Sequence, residues 1–143
     1  EITESVGDMD IVLINNIAQS LISMGFRLSM DDFGTKYSNL EMLFKFPFSI
    51  AKIDRSLVKN LESNEKSRIM LKHLISMIME LGIECVAEGA ENEEQVRLLQ
   101  QFGCNIIQGY FYSKPVTLDV FTSEFVEKQG INCDSQFYIQ CSY

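Results

Sequence analysis

Five short apolar stretches in this sequence each run into a carboxylate, an amide or a lysine, and this recurrence limits the fold more than any other feature. The stretches are residues 2–4, 28–32, 49–54, 85–88 and 106–108. Longer segments with a helical spacing of apolar residues separate at least three of them. Parallel strands that alternate with helices form β/α barrels, whose chemistry takes place at the rim where the strands end. The sequence therefore predicts an α/β fold of the TIM-barrel type, with polar side chains gathered at that rim.

The length of the chain fits only part of such a barrel. It has 143 residues, whereas a whole β/α barrel typically takes about 250. The strand pattern already includes Glu1, so we expect an incomplete barrel that forms the C-terminal part of a larger domain. Residues 1–129 carry the strand and helix pattern, and residues 130–143 form a tail or an extra packing segment without clear periodicity.

The charge of the chain argues against some classes of partner. Its 20 acidic and 12 basic residues give a formal net charge of -8, which disfavours a nucleic acid polymer or an anionic membrane surface. No apolar run approaches the roughly 18 residues that span a bilayer, and no signal peptide is visible. We expect a cytoplasmic segment without membrane contact of its own, although an upstream segment could anchor the full-length protein.

The cysteines predict free thiols rather than a metal site. None of the four forms a CxxC pair, and Cys85 lies inside an apolar strand. Buried or incidental thiols in a reducing compartment fit this pattern best, with a Cys133–Cys141 disulfide as the alternative.

Apolar periodicity places the elements between these motifs. Asn92 followed by Gln95 is a variant of the capping box and marks the start of one helix. The predicted helices cover residues 9–24, 39–44, 67–81, 92–102 and 118–128, and the predicted strands cover 26–30, 48–53, 83–87 and 105–107.

Two adjacent aspartates, Asp31 and Asp32, follow the second of the five stretches. Like charges this close repel unless a cation neutralises them. Two metal ions roughly 3.5–4 Å apart could use the pair, one aspartate bridging and the other binding a single ion. Side chains alternate along a strand, so both reach one site only where the strand gives way to a loop. The alternative is a solvated acidic turn.

The other polar residues at strand ends suggest a catalytic cluster. Lys52 and Asp54 share one face of a strand, where a lysine could orient a nucleophilic water or offset charge on a phosphate; a buried ion pair is the alternative. Glu88 suits a metal ligand or a base, and Glu91 suits a supporting carboxylate or helix-dipole stabilisation. Gln108 and Gly109 suit contact with a nucleotide, although a strand-to-loop turn explains them almost as well.

Six motifs, in this order and spacing, resemble those of EAL domains, the cyclic di-GMP phosphodiesterases of bacterial signalling. They are EITES at 1–5, DDFGTKYS at 31–38, KIDR at 52–55, VAEGAE at 86–91, QGY at 108–110 and SKP at 113–115. The resemblance covers roughly residues 1–128. It implies a modified β/α barrel with one antiparallel strand, and hydrolysis of cyclic di-GMP to linear pGpG with two Mg²⁺ or Mn²⁺ ions.

The resemblance also implies roles for individual residues. Glu1 and Asp31 resemble metal ligands, Asp32 a ligand of the second metal, Lys52 the residue that holds the attacking water, and Glu88 the carboxylate that acts on the metals and their water.

Supporting roles follow from the same motifs. Gln108 and Gly109 resemble site residues, and Asp54 and Glu91 occupy supporting positions. Glu4 resembles the carboxylate that anchors the loop 33–38, which in this family couples dimerisation to metal and substrate binding, so a homo-oligomer is expected.

Two departures from the family pattern qualify these expectations. The Glu-Ala-Leu signature and an asparagine ligand should lie upstream of Glu1 and are absent, so this chain alone is expected to be inactive. Lys36 stands where the family usually has glycine, and lysine resists the positive φ that glycine allows. The alternative function is a non-catalytic EAL module that senses cyclic di-GMP or binds a protein partner.

Overall fold

The structure, a computed structural model, describes residues 11–35 and 39–127. The predictions for the strand at 2–4, for Glu1, Glu4 and Lys36, and for the segment 130–143 lie outside these residues.

Four parallel strands form one sheet in the order in which they occur along the chain. They are β1 (Ser29–Phe33), β2 (Ile50–Ile53), β3 (Glu84–Glu88) and β4 (Ile106–Gln108). The helices are α1 (Ile11–Ser23), α2 (Asn39–Lys45), α3 (Arg55–Lys59), α4 (Glu65–Glu80), α5 (Glu93–Gln101) and α6 (Leu118–Phe121), the last followed by a π-helical segment, Thr122–Glu127.

This architecture confirms the predicted fold class. Each neighbouring pair of strands is parallel, and helices connect the strands. In the described part of the chain β1 and β4 are the outer strands of an open sheet, which is an arc of a β/α barrel and not a closed one. No helix of the described residues is long and apolar enough to cross a membrane.

The structure differs from the predicted elements most clearly at three points. β1 begins later than expected and continues through Asp31 and Asp32, which were assigned to the loop after the strand. The short helix α3 was missed because it holds too few residues to show a helical period; the Asp54 carboxylate starts it by accepting a hydrogen bond from the Ser56 amide at 2.9 Å. The last predicted helix changes from α to π geometry at Thr122.

The core lies between the sheet and the long helix α4. Leu71, Ile75 and Ile78 repeat at helical spacing and are fully buried against the sheet residues Met30 and Ile53 in one apolar cluster. The helix begins at Asn64, whose side-chain oxygen accepts hydrogen bonds from the amides of residues 66 and 67 at 3.0 and 3.2 Å. Capping and the apolar stripe together explain why this segment is helical.

Replacing Leu71 by alanine should lower the free energy of unfolding by about 2–5 kcal/mol, because it leaves a cavity at a fully buried position. Its neighbour Met70 is 50% exposed, so Met70→Ala should change the same quantity by less than about 0.5 kcal/mol. Urea denaturation of both variants tests the difference. Equal effects would contradict the observed orientation of α4.

Candidate active site

A β-bulge brings the two aspartates of β1 opposite one lysine of β2. Met30 pairs with Ala51 and Phe33 pairs with Ile53, so Asp31 and Asp32 together face the single residue Lys52. Asp32 has a φ of 54°, in the left-handed region that aspartate tolerates better than most residues. The bulge interrupts the strict alternation of side chains along the strand. Adjacent carboxylates can therefore be presented within the strand, without the loop that the sequence suggested.

Lys52 is the centre of the charged cluster. Its side chain is buried, with the residue 7% exposed. Its Nζ atom lies 3.0 Å from Oδ1 of Asp31 and 2.6 Å from Oε1 of Glu88, and both acidic side chains are about one-fifth exposed. Three neighbouring strands thus contribute one charged group each to a single cluster, as predicted for these three residues. An ammonium group between two carboxylates leaves a net charge of one negative unit.

Asp31 has an oxygen that is suited to a cation. Its Oδ1 atom is buried and lies 3.0 Å from a cation already, the Lys52 ammonium. Carboxylate oxygens are the donors that Mg²⁺ and Mn²⁺ prefer, so Asp31, Asp32 and Glu88 fit such ions in their chemistry. Within residues 11–35 and 39–127, however, no three acidic, histidine or cysteine side chains converge as a ready-made metal cluster.

The residues after β3 and β4 are joined tightly through the backbone of Ala90. The Ala90 amide donates to the Gln108 carbonyl at 3.1 Å, and the Phe111 amide donates to the Ala90 carbonyl at 3.0 Å. A Cβ atom on Gly109 would lie 2.0 Å from the Ala90 oxygen. Only glycine fits there, and its close approach helps keep Gln108 beside Glu88, its partner in the sheet. Ala90 was not singled out in the sequence, because its role is carried by backbone atoms.

Asp54 and Glu91 lie at the edge of this arrangement. The Asp54 carboxylate caps α3, and its backbone amide donates to the Phe33 carbonyl at 3.3 Å. The Glu91 amide donates to Oε1 of Gln95 at 2.8 Å, and the Gln95 amide donates to Oδ1 of Asn92 at 3.0 Å. Asn92 therefore caps α5 as predicted, whereas the Gln95 side chain accepts from the amide of Glu91, one residue before the cap, and not from the Asn92 amide as in a capping box. The described contacts of both residues therefore shape the loops after β2 and β3.

A sequence model described as the EAL domain matches residues 1–115 of the chain. The chain belongs to the EAL domain family. This membership agrees with the motif resemblance and accounts for carboxylates and a lysine at the ends of consecutive strands.

Similar proteins and structures fall in the same family. The cyclic di-GMP phosphodiesterase RocR of Pseudomonas aeruginosa is 41% identical over 93 residues, which cover 65% of this chain and 24% of RocR. The crystal structure of the EAL domain of Mycobacterium smegmatis DcpA has a TM-score of 0.82 and 35% identity, covering 88% of this chain and 56% of that chain. The manganese/cyclic di-GMP complex of Klebsiella pneumoniae BlrP1 has a TM-score of 0.72 and 29% identity, covering 78% of this EAL chain and 29% of that one.

Replacing Gly109 by alanine should destabilise the fold and displace Gln108, because the added methyl group would overlap the backbone of Ala90. Gly82→Ala is the matched control. A Cβ atom there meets nothing within 4 Å, so the only cost is the backbone strain of a non-glycine residue at a φ of 73°. The control should lower the free energy of unfolding by on the order of 1 kcal/mol. Gly109→Ala should lower it by clearly more. Thermal unfolding of the two variants makes the comparison. A smaller loss for Gly109→Ala would disprove the close approach.

Proposed function

We propose that the EAL domain to which this chain contributes hydrolyses cyclic di-GMP to linear pGpG with the aid of divalent metal ions. The observation that carries the proposal is the buried ammonium of Lys52 between Asp31 and Glu88 at the C-terminal ends of the strands. RocR, a cyclic di-GMP phosphodiesterase, and BlrP1, known in complex with manganese and cyclic di-GMP, support the substrate and the metal. The chain spans less than two thirds of either relative, so the activity is proposed for the full domain.

The carboxylates at this edge would hold the metal ions. Asp31, Asp32 and Glu88 supply oxygen donors in the described chain, and Glu1 would add another. Bound Mg²⁺ or Mn²⁺ would neutralise phosphate charge and make a water molecule more acidic. The carboxylate oxygens of Asp31 and Glu88, which already face a cation in the Lys52 ammonium, are the observation that best fits such an ion.

Lys52 has the position needed to orient the nucleophile. Its Nζ atom can donate a hydrogen bond to a water oxygen while it remains paired with Glu88. The Glu88 carboxylate can accept a proton from that water as the water attacks phosphorus; one P–O ester bond of the cyclic substrate breaks, and the leaving oxygen takes up a proton to become a hydroxyl group. The ammonium also offsets negative charge that accumulates on the phosphate oxygens in the transition state, and its burial strengthens this effect.

The remaining residues would support substrate and loop positions. Gln108 and Gly109 would contact the nucleotide, because the Ala90 backbone holds their loop beside Glu88. Asp54 and Glu91 would keep the neighbouring loops in place through the helix starts described above. Glu4 would anchor the loop 33–38 and, in a homodimer, link subunit contact to the site.

In the full domain, Lys52→Met should lower turnover of cyclic di-GMP by roughly 100- to 1,000-fold, because methionine has similar bulk but cannot hold water or offset charge. The Michaelis constant should stay nearly unchanged, since the lost interaction belongs to the transition state. Lys45→Met, which removes an exposed lysine paired with Glu41, is the control and should retain turnover. Steady-state kinetics and a melting curve test both variants. If Lys52→Met keeps full turnover or simply unfolds, Lys52 is a structural ion-pair residue.

The full domain should require added Mg²⁺ or Mn²⁺ and lose activity with a chelator, whereas this chain alone should be nearly inactive because it lacks two family ligands. Asp31→Asn in the full domain should raise the metal concentration needed for half-maximal rate. Turnover measured at millimolar metal compares the proteins. Robust turnover by the isolated chain would overturn the ligand assignment. A full domain that binds cyclic di-GMP without turnover would favour the sensor function. The sequence feature that supports this alternative is Lys36, which stands where the family usually has glycine.

A further inference from the structure

Two cysteines lie side by side at the other end of the sheet, away from the charged cluster. Cys85 lies near the start of β3, three residues before Glu88, and Cys104 lies just before β4. Both are free and buried, with exposures of 6% and 1%. The Cys104 side chain faces Cys85. The Cys104 sulfur also lies 3.6 Å from the Cys85 carbonyl oxygen and 3.4 Å from that of Ile106.

The backbone holds this pair in place. β3 and β4 are in parallel register from Val86–Ile106 onward, directly beyond the two cysteines. The Cys104 amide donates to the Leu99 carbonyl at 3.0 Å, which fixes the turn between α5 and β4. The two residues cannot move apart without breaking these backbone contacts. The fold therefore keeps Cys85 and Cys104 next to each other.

A partly open cavity gives small molecules access to Cys85. It has a volume of about 450 Å³, and Cys85, Met79, Glu84 and Gly103 are among the residues that line it. A water molecule takes about 30 Å³ in the liquid, so a molecule the size of hydrogen peroxide can enter. The residues that line this cavity include the Arg27–Glu84 ion pair but none of Asp31, Lys52 and Glu88.

The electrostatics of the pair favour reaction. The hydrogen bond from the Cys85 thiol lowers the pKa of Cys104, and the same contact raises the pKa of Cys85. Of the two thiols, Cys104 is therefore the one that loses its proton more readily. A thiolate is the form that attacks an oxidant, and a neighbouring thiol then resolves the product.

We propose that Cys85 and Cys104 form a reversible oxidation site, at which hydrogen peroxide entering the cavity converts the two thiols into an intramolecular disulfide. One thiolate attacks a peroxide oxygen, the O–O bond breaks, and the products are a sulfenic acid and, after protonation, water. The second sulfur, as a thiolate, attacks the sulfenic sulfur; the S–O bond breaks, and the departing hydroxide takes up a proton as water. Two thiols and one peroxide thus give one disulfide and two waters. A dithiol reductant reverses the reaction by exchange.

The bond would join the strands that carry Glu88 and Gln108 at their opposite ends. It closes a loop that contains α5 and constrains the unfolded chain, so the oxidised protein should melt at a higher temperature than the reduced one. This outcome concerns the fold, and it can be measured whether or not the domain hydrolyses cyclic di-GMP.

The test is peptide mapping after peroxide treatment of the folded chain. The protein is exposed to hydrogen peroxide, quenched with an alkylating reagent, digested and analysed by mass spectrometry. A peptide pair joined through Cys85 and Cys104, lighter by two hydrogens and separated by dithiothreitol, is expected. The Cys133→Ser/Cys141→Ser variant should give the same pair, which excludes exchange with the remaining two cysteines.

Single variants supply the matched controls. Cys85→Ser and Cys104→Ser should each lose the linked peptide and the peroxide-dependent rise in melting temperature. If Cys85 and Cys104 of the folded wild-type chain remain fully alkylatable after unfolding, the proposal is wrong. It is equally wrong if either cysteine accumulates singly as sulfinic acid or is linked only to Cys133 or Cys141.

Discussion

The pairing of the Lys52 ammonium with Asp31 and Glu88 is the interaction on which the arrangement of the strand ends depends. Removing an ammonium group from water costs on the order of several kcal/mol, and a lysine that is 7% exposed must recover this through close partners. Those partners come from the strands on either side of β2, at 3.0 and 2.6 Å. The registers of β1 against β2 and of β2 against β3 must therefore bring Asp31, Lys52 and Glu88 next to one another. A slip by one residue would turn a charge toward the apolar side of the sheet.

Backbone features, more than side chains, set the positions of the other groups. The bulge in β1 places two carboxylates opposite one lysine, and the approach of Gly109 to Ala90 joins the loops that follow β3 and β4. Helix caps at Asp54 and Asn92 turn the chain sharply after β2 and β3. Each device is local, yet all act at the same edge of the sheet. The supports of the site are short and lie close in sequence to the residues they hold.

Much of this arrangement could be predicted from the sequence, because the apolar periods of α4 and α5 and the polar residues at strand ends are local signals. The grouping of Lys52 with Asp31 and Glu88 followed from parallel strands ending at one edge. The bulge could not be predicted, since it is defined by the register of β1 against β2 and not by β1 alone. The role of Asp54 as a cap was hidden by the brevity of α3. Contact between Cys85 and Cys104 depends on the pairing of β3 with β4, which no local pattern encodes.

The left-handed backbone at Asp32 has a consequence for the inheritance of this fold. Few residues accept such a conformation, and of those only aspartate and asparagine also place a side-chain oxygen at the same point. Their codons differ by a single nucleotide. A duplicated gene therefore has a one-step route from a charged to a neutral residue at position 32 that preserves the shape of the strand. A single nucleotide change therefore separates proteins with aspartate at this position from proteins that keep the same strand but have a neutral asparagine there.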